Sequence, residues 1–332
     1  MHIMDVLITG VSGYIGSHAA EVFLNNGYRV YGLDLVPNEI VATLNGDYLF
    51  FQGDIRDYKF VHGLFLKLKL HGDFIVLHLA GLKNARESYE KSTEYFEVNL
   101  GGTEVILRVM RELNLNHLIF ASSCSVYGEG LESERVKEDS TCKPISPYGK
   151  TKMCAEIAIQ NATIGTPLKA VSLRFFNVIG NSVFLESDKS KFGLLPSLYK
   201  STYNGSIFKI FGKNFKTIDG TCMRDFVDVR AIAELILKLA SKMFYEHQIK
   251  SVYNIGSGNG YTVYQISKMV DELIDGKLEI SLEDSVSGDP ASIVADSTLA
   301  SKDLEWNHNI AIEDSILSGW KSWLRTFSIR EE

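Results

Sequence analysis

Cysteine is scarce and unpaired in this sequence: Cys124, Cys142, Cys154 and Cys222 are the four in 332 residues, and none stands in CxxC spacing. That excludes a disulfide framework and a zinc site, so no metal is expected and a reducing cytoplasm is the expected location. Basic charge is also short. Lys and Arg number 34 against 41 Asp and Glu, a net charge of −7 with pI near 5.7, which argues against a general binder of nucleic acid or of a membrane surface. A local basic pocket for a phosphate is still compatible with that average. No apolar run approaches the roughly 20 residues a spanning helix needs. The segment Met1 to Thr9 lacks a basic leader and reads as a buried first strand rather than a signal peptide. Internal repeats and low-complexity tracts are missing too.

What is present has an ordinary globular balance, 45% hydrophobic and 23% charged, in a chain long enough to bury a core without staples. Short runs apolar on both faces predict strands at Asp5 to Thr9, Tyr28 to Asp34, Tyr48 to Gln52, Phe74 to Leu79, His117 to Ser122 and Leu168 to Phe176. Helical periodicity lies between them, at Ser17 to Asn25, Val61 to Leu70, Thr93 to Leu113 and Pro147 to Ala162. Such alternation predicts an α/β fold with a doubly wound parallel (Rossmann) sheet. After about Asn177 the rhythm changes. A loop-rich stretch from Ile179 to Gly220 precedes a helix at Val229 to Met243, a strand at Val252 to Ile255, a helix at Val263 to Ile274 and a last helix ending near Trp323. The expected organisation is a dinucleotide-binding domain over 1–177 and a smaller mixed α/β substrate domain over 178–332, with some segments crossing back.

The first strand runs into Gly10-Val11-Ser12-Gly13-Tyr14-Ile15-Gly16, which opens a helix. Glycines at 10, 13 and 16 let the backbone turn, approach a pyrophosphate and pack the helix on the sheet, and the helix N-terminus offers its N–H groups to phosphate. Tyr14 and Ile15 belong to the same junction. The pattern alone could be a glycine-rich turn, but Asp34 ends the next strand where an adenosine ribose would lie. Its carboxylate accepts from a 2′-hydroxyl and repels a 2′-phosphate, so NAD is expected over NADP; the plain alternative is a turn cap. Asp54 and Ile55 after the third strand, and Leu79, Ala80 and Gly81 after the fourth, end at the same edge of the sheet.

Ser146-Pro147 is a helix start, with Ser146 capping and Pro147 at the first helical position. Tyr148 and Lys152, four apart, then share a helical face. A lysine ammonium, with the positive nicotinamide ring, favours the phenolate and makes tyrosine a usable base near neutrality. Taken alone the pair could be a surface feature. Ser122-Ser123-Cys124-Ser125-Val126-Tyr127-Gly128, however, follows the fifth strand and sets Ser123 at the sheet edge, where a hydroxyl can bridge a sugar hydroxyl and the phenol.

With these residues the sequence resembles the UDP-galactose 4-epimerase family of extended short-chain dehydrogenases/reductases. The resemblance runs through nearly the whole chain, on Ala80-Gly81-Leu82-Lys83, Glu87-Ser88, Asn99 with Gly102-Thr103, Ser146-Pro147-Tyr148-Gly149-Lys150, Arg174-Phe175-Phe176-Asn177, Asp219-Gly220-Thr221 with Arg224-Asp225, and Gly288-Asp289-Pro290. It implies that Tyr148, Lys152 and Ser123 are catalytic, and that Lys83, Asn99, Ser122 and Phe175 join the NAD site. It further implies a nucleotide-sugar site of Lys83, Ser123, Tyr148, Asn177, Leu194, Lys209, Phe211, Arg224 and Asp289, with Asn177 and Arg224 on the phosphates and Phe211 against the uracil. In the family Tyr148 would take the 4-hydroxyl proton while hydride passes to NAD. The 4-keto sugar turns over and hydride returns to its other face, so NAD is a resident cofactor. A homodimer built on Thr93 to Leu113 and Pro147 to Ala162 is likewise implied.

The substrate half departs from the family. Val286 stands where an arginine usually clamps the diphosphate, between Ser285 and Ser287; Gly193 replaces an asparagine, Lys209 a small residue and Ala231 an acid. Lys209 could compensate, and Ile293 leaves N-acetylated sugars open. Dehydratases of this fold need an Asp-Glu pair where Cys124 and Ser125 stand, and decarboxylases a glutamate. Another nucleotide-sugar reaction, such as a 5,6-dehydration, and a non-catalytic NAD- or sugar-nucleotide-binding regulator are the alternatives; the intact Tyr148 and Lys152 speak against the second.

Overall fold

The computed structural model describes residues 5–129, 135–185, 188, 193–245, 249–285 and 290–331. In chain order the first half runs β1 (Asp5–Thr9), α1 (Tyr14–Asn25), β2 (Val30–Asp34), α2 (Glu39–Ala42), β3 (Tyr48–Gln52), α3 (Tyr58–Lys69), β4 (Phe74–His78), α4 (Glu87–Glu90), α5 (Ser92–Tyr95), a π-helical segment (Phe96–Gly101), α6 (Gly102–Glu112), β5 (His117–Ser123), a 3₁₀ turn (Cys124–Val126), α7 (Pro147–Thr163) and β6 (Lys169–Phe175). The rest comprises β7 (Asn177–Ile179), α8 (Leu194–Asn204), β8 (Phe208–Phe211), β9 (Met223–Asp228), α9 (Val229–Tyr245), β10 (Val252–Ile255), β11 (Gly260–Thr262), α10 (Val263–Leu273), β12 (Ile280–Glu283), β13 (Ser292–Ile293), α11 (Thr298–Leu304) and α12 (Ile312–Glu331).

Two compact units emerge. The first takes 1–126, 144–174 and 233–253, the second 127–143, 175–232 and 254–332. A seven-stranded sheet is ordered β10-β6-β5-β4-β1-β2-β3, and β1 pairs parallel with both β2 and β4. The strand order therefore reverses at β1, and the crevice beyond the carboxyl ends of β1 and β4 is where such a sheet binds ligands. One sheet face is sealed by Leu7, Tyr31, Leu33, Phe74, Val76 and Phe120 against Val61, Phe65, Ile106 and Val109 of α3 and α6. This is the doubly wound parallel sheet expected from the alternation of strands and helices.

In the second unit β9 pairs with β11 antiparallel and with β13 and β7 parallel, while β8 and β12 form a separate parallel pair. Its core packs Leu195, Leu198 and Tyr199 of α8 on Ile266 and Val270 of α10 and Ile316 and Trp323 of α12.

Three element expectations need correction. The stretch from Ile179 to Gly220 holds α8 and β8 rather than loop alone. Pro196 is the third residue of α8, where an amide has no intrahelical partner to lose. The expected single helix at Thr93 to Leu113 is interrupted by the π segment. The last helix continues past Trp323 to Glu331.

Candidate active site

Gly10 ends β1 at φ +75, and a Cβ there would stand 2.7 Å from the Ala80 amide nitrogen. Gly16 presses on the Gly10 carbonyl just as tightly. Neither position accepts a side chain, so the loop lies flat on the end of β4. Gly13, the N-cap of α1, contributes no side-chain cap, which leaves first-turn N–H groups for an anion. Lys83 sets its ammonium 5.7 Å from the centre of the Tyr14 ring at this same helix start.

Asp34 is fixed at the end of β2. Its Oδ2 accepts from the Ser12 amide at 3.0 Å and its Oδ1 from the Leu35 amide at 2.7 Å. Burial raises its pKa, and the amides of Ser12, Leu35 and Val36 oppose that rise. Asp54 is bound by Arg56 Nη2 at 2.6 Å, and that bond holds its carboxyl below the usual range. Ile55 is buried against Gly102. The geometry fits a dinucleotide: a backbone flush with the sheet, free helix amides, a cation beside them, and an ordered carboxylate one strand away.

The chemical end of the crevice is built on α7. Ser146 Oγ accepts from the Gly149 amide at 3.0 Å, and Ser88 Oγ accepts from the Tyr148 amide at 3.1 Å. The first turn of α7 is thus capped from two sides. Tyr148 packs edge-on against Tyr95, 6.4 Å between ring centres. Burial pushes the Tyr148 phenol up to about 12, with nearby Ser123 pulling it down and Cys124 adding to the rise. Within the chain itself desolvation outweighs the favourable contacts, and the lowering expected for Tyr148 rests on Lys152 acting together with the cationic nicotinamide ring. Lys152 is buried, donates to the Ala121 carbonyl at 2.8 Å and lies 4.9 Å from the Phe120 ring centre. Burial lowers it to about 8, opposed by Glu156. Ser123 Oγ donates to Ser125 Oγ at 3.1 Å and accepts from the Ser125 amide at 3.2 Å.

Asn99 sits inside the π segment, and its amide is committed. Its Oδ1 accepts from the Leu82 amide at 2.8 Å, while its Nδ2 donates to the Leu82 carbonyl and to Thr151 Oγ1, both at 3.0 Å. The side chain ties the Ala80–Lys83 loop to α7. Ser122 turns its hydroxyl to the Glu156 carboxylate, which a buried Arg174 also grips, Nη2 to Oε2 at 2.7 Å. The roles of Ser88, Thr151 and Glu156 are ones that folding reveals. For Glu156 a signal existed, four residues beyond Lys152 on the same helical face; for Ser88 none did, because only folding brings it to Tyr148.

In the second unit, Phe175 is buried at the end of β6 and Asn177 opens β7 opposite Phe226. Leu194 is the first residue of α8, capped by Gly193. Along β8, Phe208 and Ile210 enter the core, so Lys209 and Phe211 share the outer face, where Lys209 lies 3.7 Å from Glu283. Arg224 Nη1 donates to the carbonyls of Met223 at 2.8 Å and Pro290 at 2.7 Å. Asp289, with Val286, Ser287 and Gly288, lies outside the described residues.

Residues 6–256 match the model of the NAD dependent epimerase/dehydratase family. A UDP-glucose 4-epimerase of Lactobacillus helveticus is 32% identical over 323 residues, covering 96% of both chains. Among solved structures, a UDP-glucose-4-epimerase from Stenotrophomonas maltophila with bound NAD and formylated UDP-arabinopyranose aligns at TM-score 0.89 and 28% identity, over 98% of this chain and 99% of that one. A UDP-glucose 4-epimerase from Bifidobacterium longum in complex with NAD+ and UDP aligns at 0.87 and 28%, over 97% and 98%.

Proposed function

The chain belongs to the NAD dependent epimerase/dehydratase family, and from that premise we propose that it interconverts UDP-glucose and UDP-galactose. It is an NAD-dependent nucleotide-sugar 4-epimerase; the UDP-hexose pair is our choice within that class. The observation that carries the reading is the joint placement of Ser123, Tyr148 and Lys152 at the same sheet edge as the Gly10–Gly16 cradle.

Gly10, Gly13, Tyr14, Ile15 and Gly16 would hold the pyrophosphate, with Lys83 beside it. Asp34 would take the adenosine ribose, Asp54 and Ile55 the adenine, and Leu79, Ala80, Gly81, Ser122, Tyr148, Lys152 and Phe175 the nicotinamide half. Asn99 would serve this site by holding the Leu82 backbone. Bound NAD supplies a hydride acceptor and a cationic ring. Tyr148 accepts the proton of the sugar 4-hydroxyl and later returns one to the same oxygen; Ser123 relays or steadies that proton. Lys152, charged below about pH 8, stabilises the phenolate. Asn177, Leu194, Lys209, Phe211, Arg224 and Asp289 would hold the nucleotide end, Lys209 standing in for the arginine replaced by Val286.

We assign NAD binding to 1–177 and nucleotide-sugar binding to 178–332, in a cytoplasmic homodimer. Among the described residues no helix is long and apolar enough to cross a membrane. The test is direct. Purified protein incubated with UDP-glucose, UDP-galactose and their N-acetyl counterparts, followed by chromatographic separation, should convert the first two into each other. Products with a new double bond would replace this reading by a dehydration.

A further inference from the structure

Lys152 is an ammonium almost completely removed from water, and desolvation of an isolated charge drives it to the neutral form. Its direct partners are neutral: the Ala121 carbonyl and the Phe120 ring of β5, with Gly81 of the loop after β4 also close by. From β4 it faces His78, whose ring would oppose it if protonated. Its own helix presents Tyr148 and Glu156. From β6 comes Arg174, bound to Glu156. Glu156 is therefore the one anion named among these groups.

That anion is unusually well fixed. Glu156 is 3% exposed and Arg174 4%. Arg174 donates Nε to Oε1 at 3.0 Å and Nη2 to Oε2 at 2.7 Å, a bidentate grip, and Ser122 Oγ donates to Oε1 as well. Three donors from two strands pin the carboxylate. A buried ion pair adds little net stability over a packed apolar pair, so fold stability alone does not account for its presence under the catalytic lysine. Ser122 and Ala121 are neighbours on β5: one anchors the carboxylate, the other receives the ammonium.

Building on the epimerase reading, we propose that Glu156 is a positioning residue of the catalytic centre: fixed by Ser122 and Arg174, its carboxylate keeps Lys152 in the ammonium form beside Tyr148. The direction of the Lys152 shift agrees, since Glu156 is the group that opposes desolvation there. The merely structural alternative is a strut between α7 and β6.

The test follows the proton on Lys152 directly. In NAD-loaded protein with 13Cε-labelled lysine, the Lys152 resonance, identified by its loss in Lys152→Met, is titrated by NMR. Glu156→Gln, and the double replacement Glu156→Leu with Arg174→Leu that removes the strut without leaving a lone charge, should each move the midpoint down by about one pH unit or more. The alkaline limb of kcat should move with it, while KM for the nucleotide sugar stays. Ser122→Ala, which removes one hydrogen bond and no charge, should shift it less in the same direction. An unmoved or raised midpoint in the double variant, with only the melting temperature changed, would overturn the proposal. If the wild-type protein epimerises nothing, the functional reading fails while the NMR titration still decides this one.

Discussion

Tyr148 and Lys152 stand one helical turn apart, and the same burial moves them in opposite directions. The phenol is raised to about 12 and the ammonium lowered to about 8, so each is pushed toward its neutral form. Activity should therefore fall as pH rises through about 8, because Lys152 loses its proton there; a pH–kcat profile flat to pH 10 would contradict this. Tyr148→Phe removes one hydroxyl from a packed ring. Turnover should drop by about 10²–10⁴-fold, with NAD still co-purifying. Cys124 is a half-buried thiol next to Ser123, and 4-epimerisation asks nothing of it. Cys124→Ser should keep near-wild-type conversion of UDP-galactose, whereas a reaction that uses the thiol would stop. At Asp34, whose two oxygens are already aimed by backbone amides, Asp34→Ala should weaken NAD and narrow its advantage over NADP in competitive binding.

Helix α7 carries Tyr148 in its first turn, where a helix is least held by its own hydrogen bonds. Ser146, Ser88 and Pro147 compensate, and Gly149 lets the turn touch the strand-end serines. A Cβ on Gly149 would come 2.5 Å from the Ser125 carbonyl oxygen. Gly149→Ala should therefore force the turn away from Ser123 and lower kcat more than stability. Ser146→Ala should do the reverse, costing about 1 kcal/mol of stability in a urea titration while the geometry of Tyr148 survives on the Ser88 contact. The π segment belongs to the same design. Its extra residue per turn lies where Asn99 bridges the cofactor loop to Thr151, in keeping with the tendency of π segments to occur at functional sites.

At the scale of the whole molecule, buried histidine governs behaviour in acid. His78 lies between Thr9 Oγ1 at Nδ1, 2.7 Å, and Thr103 Oγ1 at Nε2, 3.0 Å. Thr103 spends its own proton on the Asn99 carbonyl, so His78 donates from Nε2 and accepts at Nδ1, a neutral ring. Burial lowers it to about 3, with the Lys152 charge adding to the effect. An unfolded chain takes up this proton near pH 6.5, and the folded one does not. Stability is thus greatest above about pH 6.5 and is lost as pH falls toward 3, by up to about 1.4 kcal/mol per pH unit from this group. Melting curves from pH 7 to 4 should show a shallower loss in His78→Gln. Assembly is a second global property. Ile157 on α7 is half exposed, and Leu100 of the π segment and Val105 and Leu107 of α6 are only partly buried, which leaves apolar positions on these helices for a second copy. Light scattering at micromolar concentration should give twice the 37.1 kDa chain mass; a monomer would remove the dimer.

Local rules made much of this legible in one dimension. Two-faced apolar strands, Gly10, Gly13 and Gly16 after the first of them, Asp34 after the second, and Ser146-Pro147 before Tyr148 and Lys152 each depend on neighbours within a few residues. The sequence by itself determined the doubly wound sheet, the glycine turn after β1 and the capped helix that carries Tyr148 and Lys152 for that reason. The loop-rich stretch from Ile179 to Gly220 hid α8, whose first turn tolerates Pro196. The sequence was also silent on what long-range packing decides. Only tertiary structure joined residues 233–253 to the first unit, brought Ser88 to the Tyr148 amide 60 residues away, and gathered Ser122, Glu156 and Arg174 from two strands and a helix. The phenol's pKa belongs to that second class. Spacing set a lysine beside the tyrosine, but desolvation depends on everything packed around them, and no residue string encodes that burial locally.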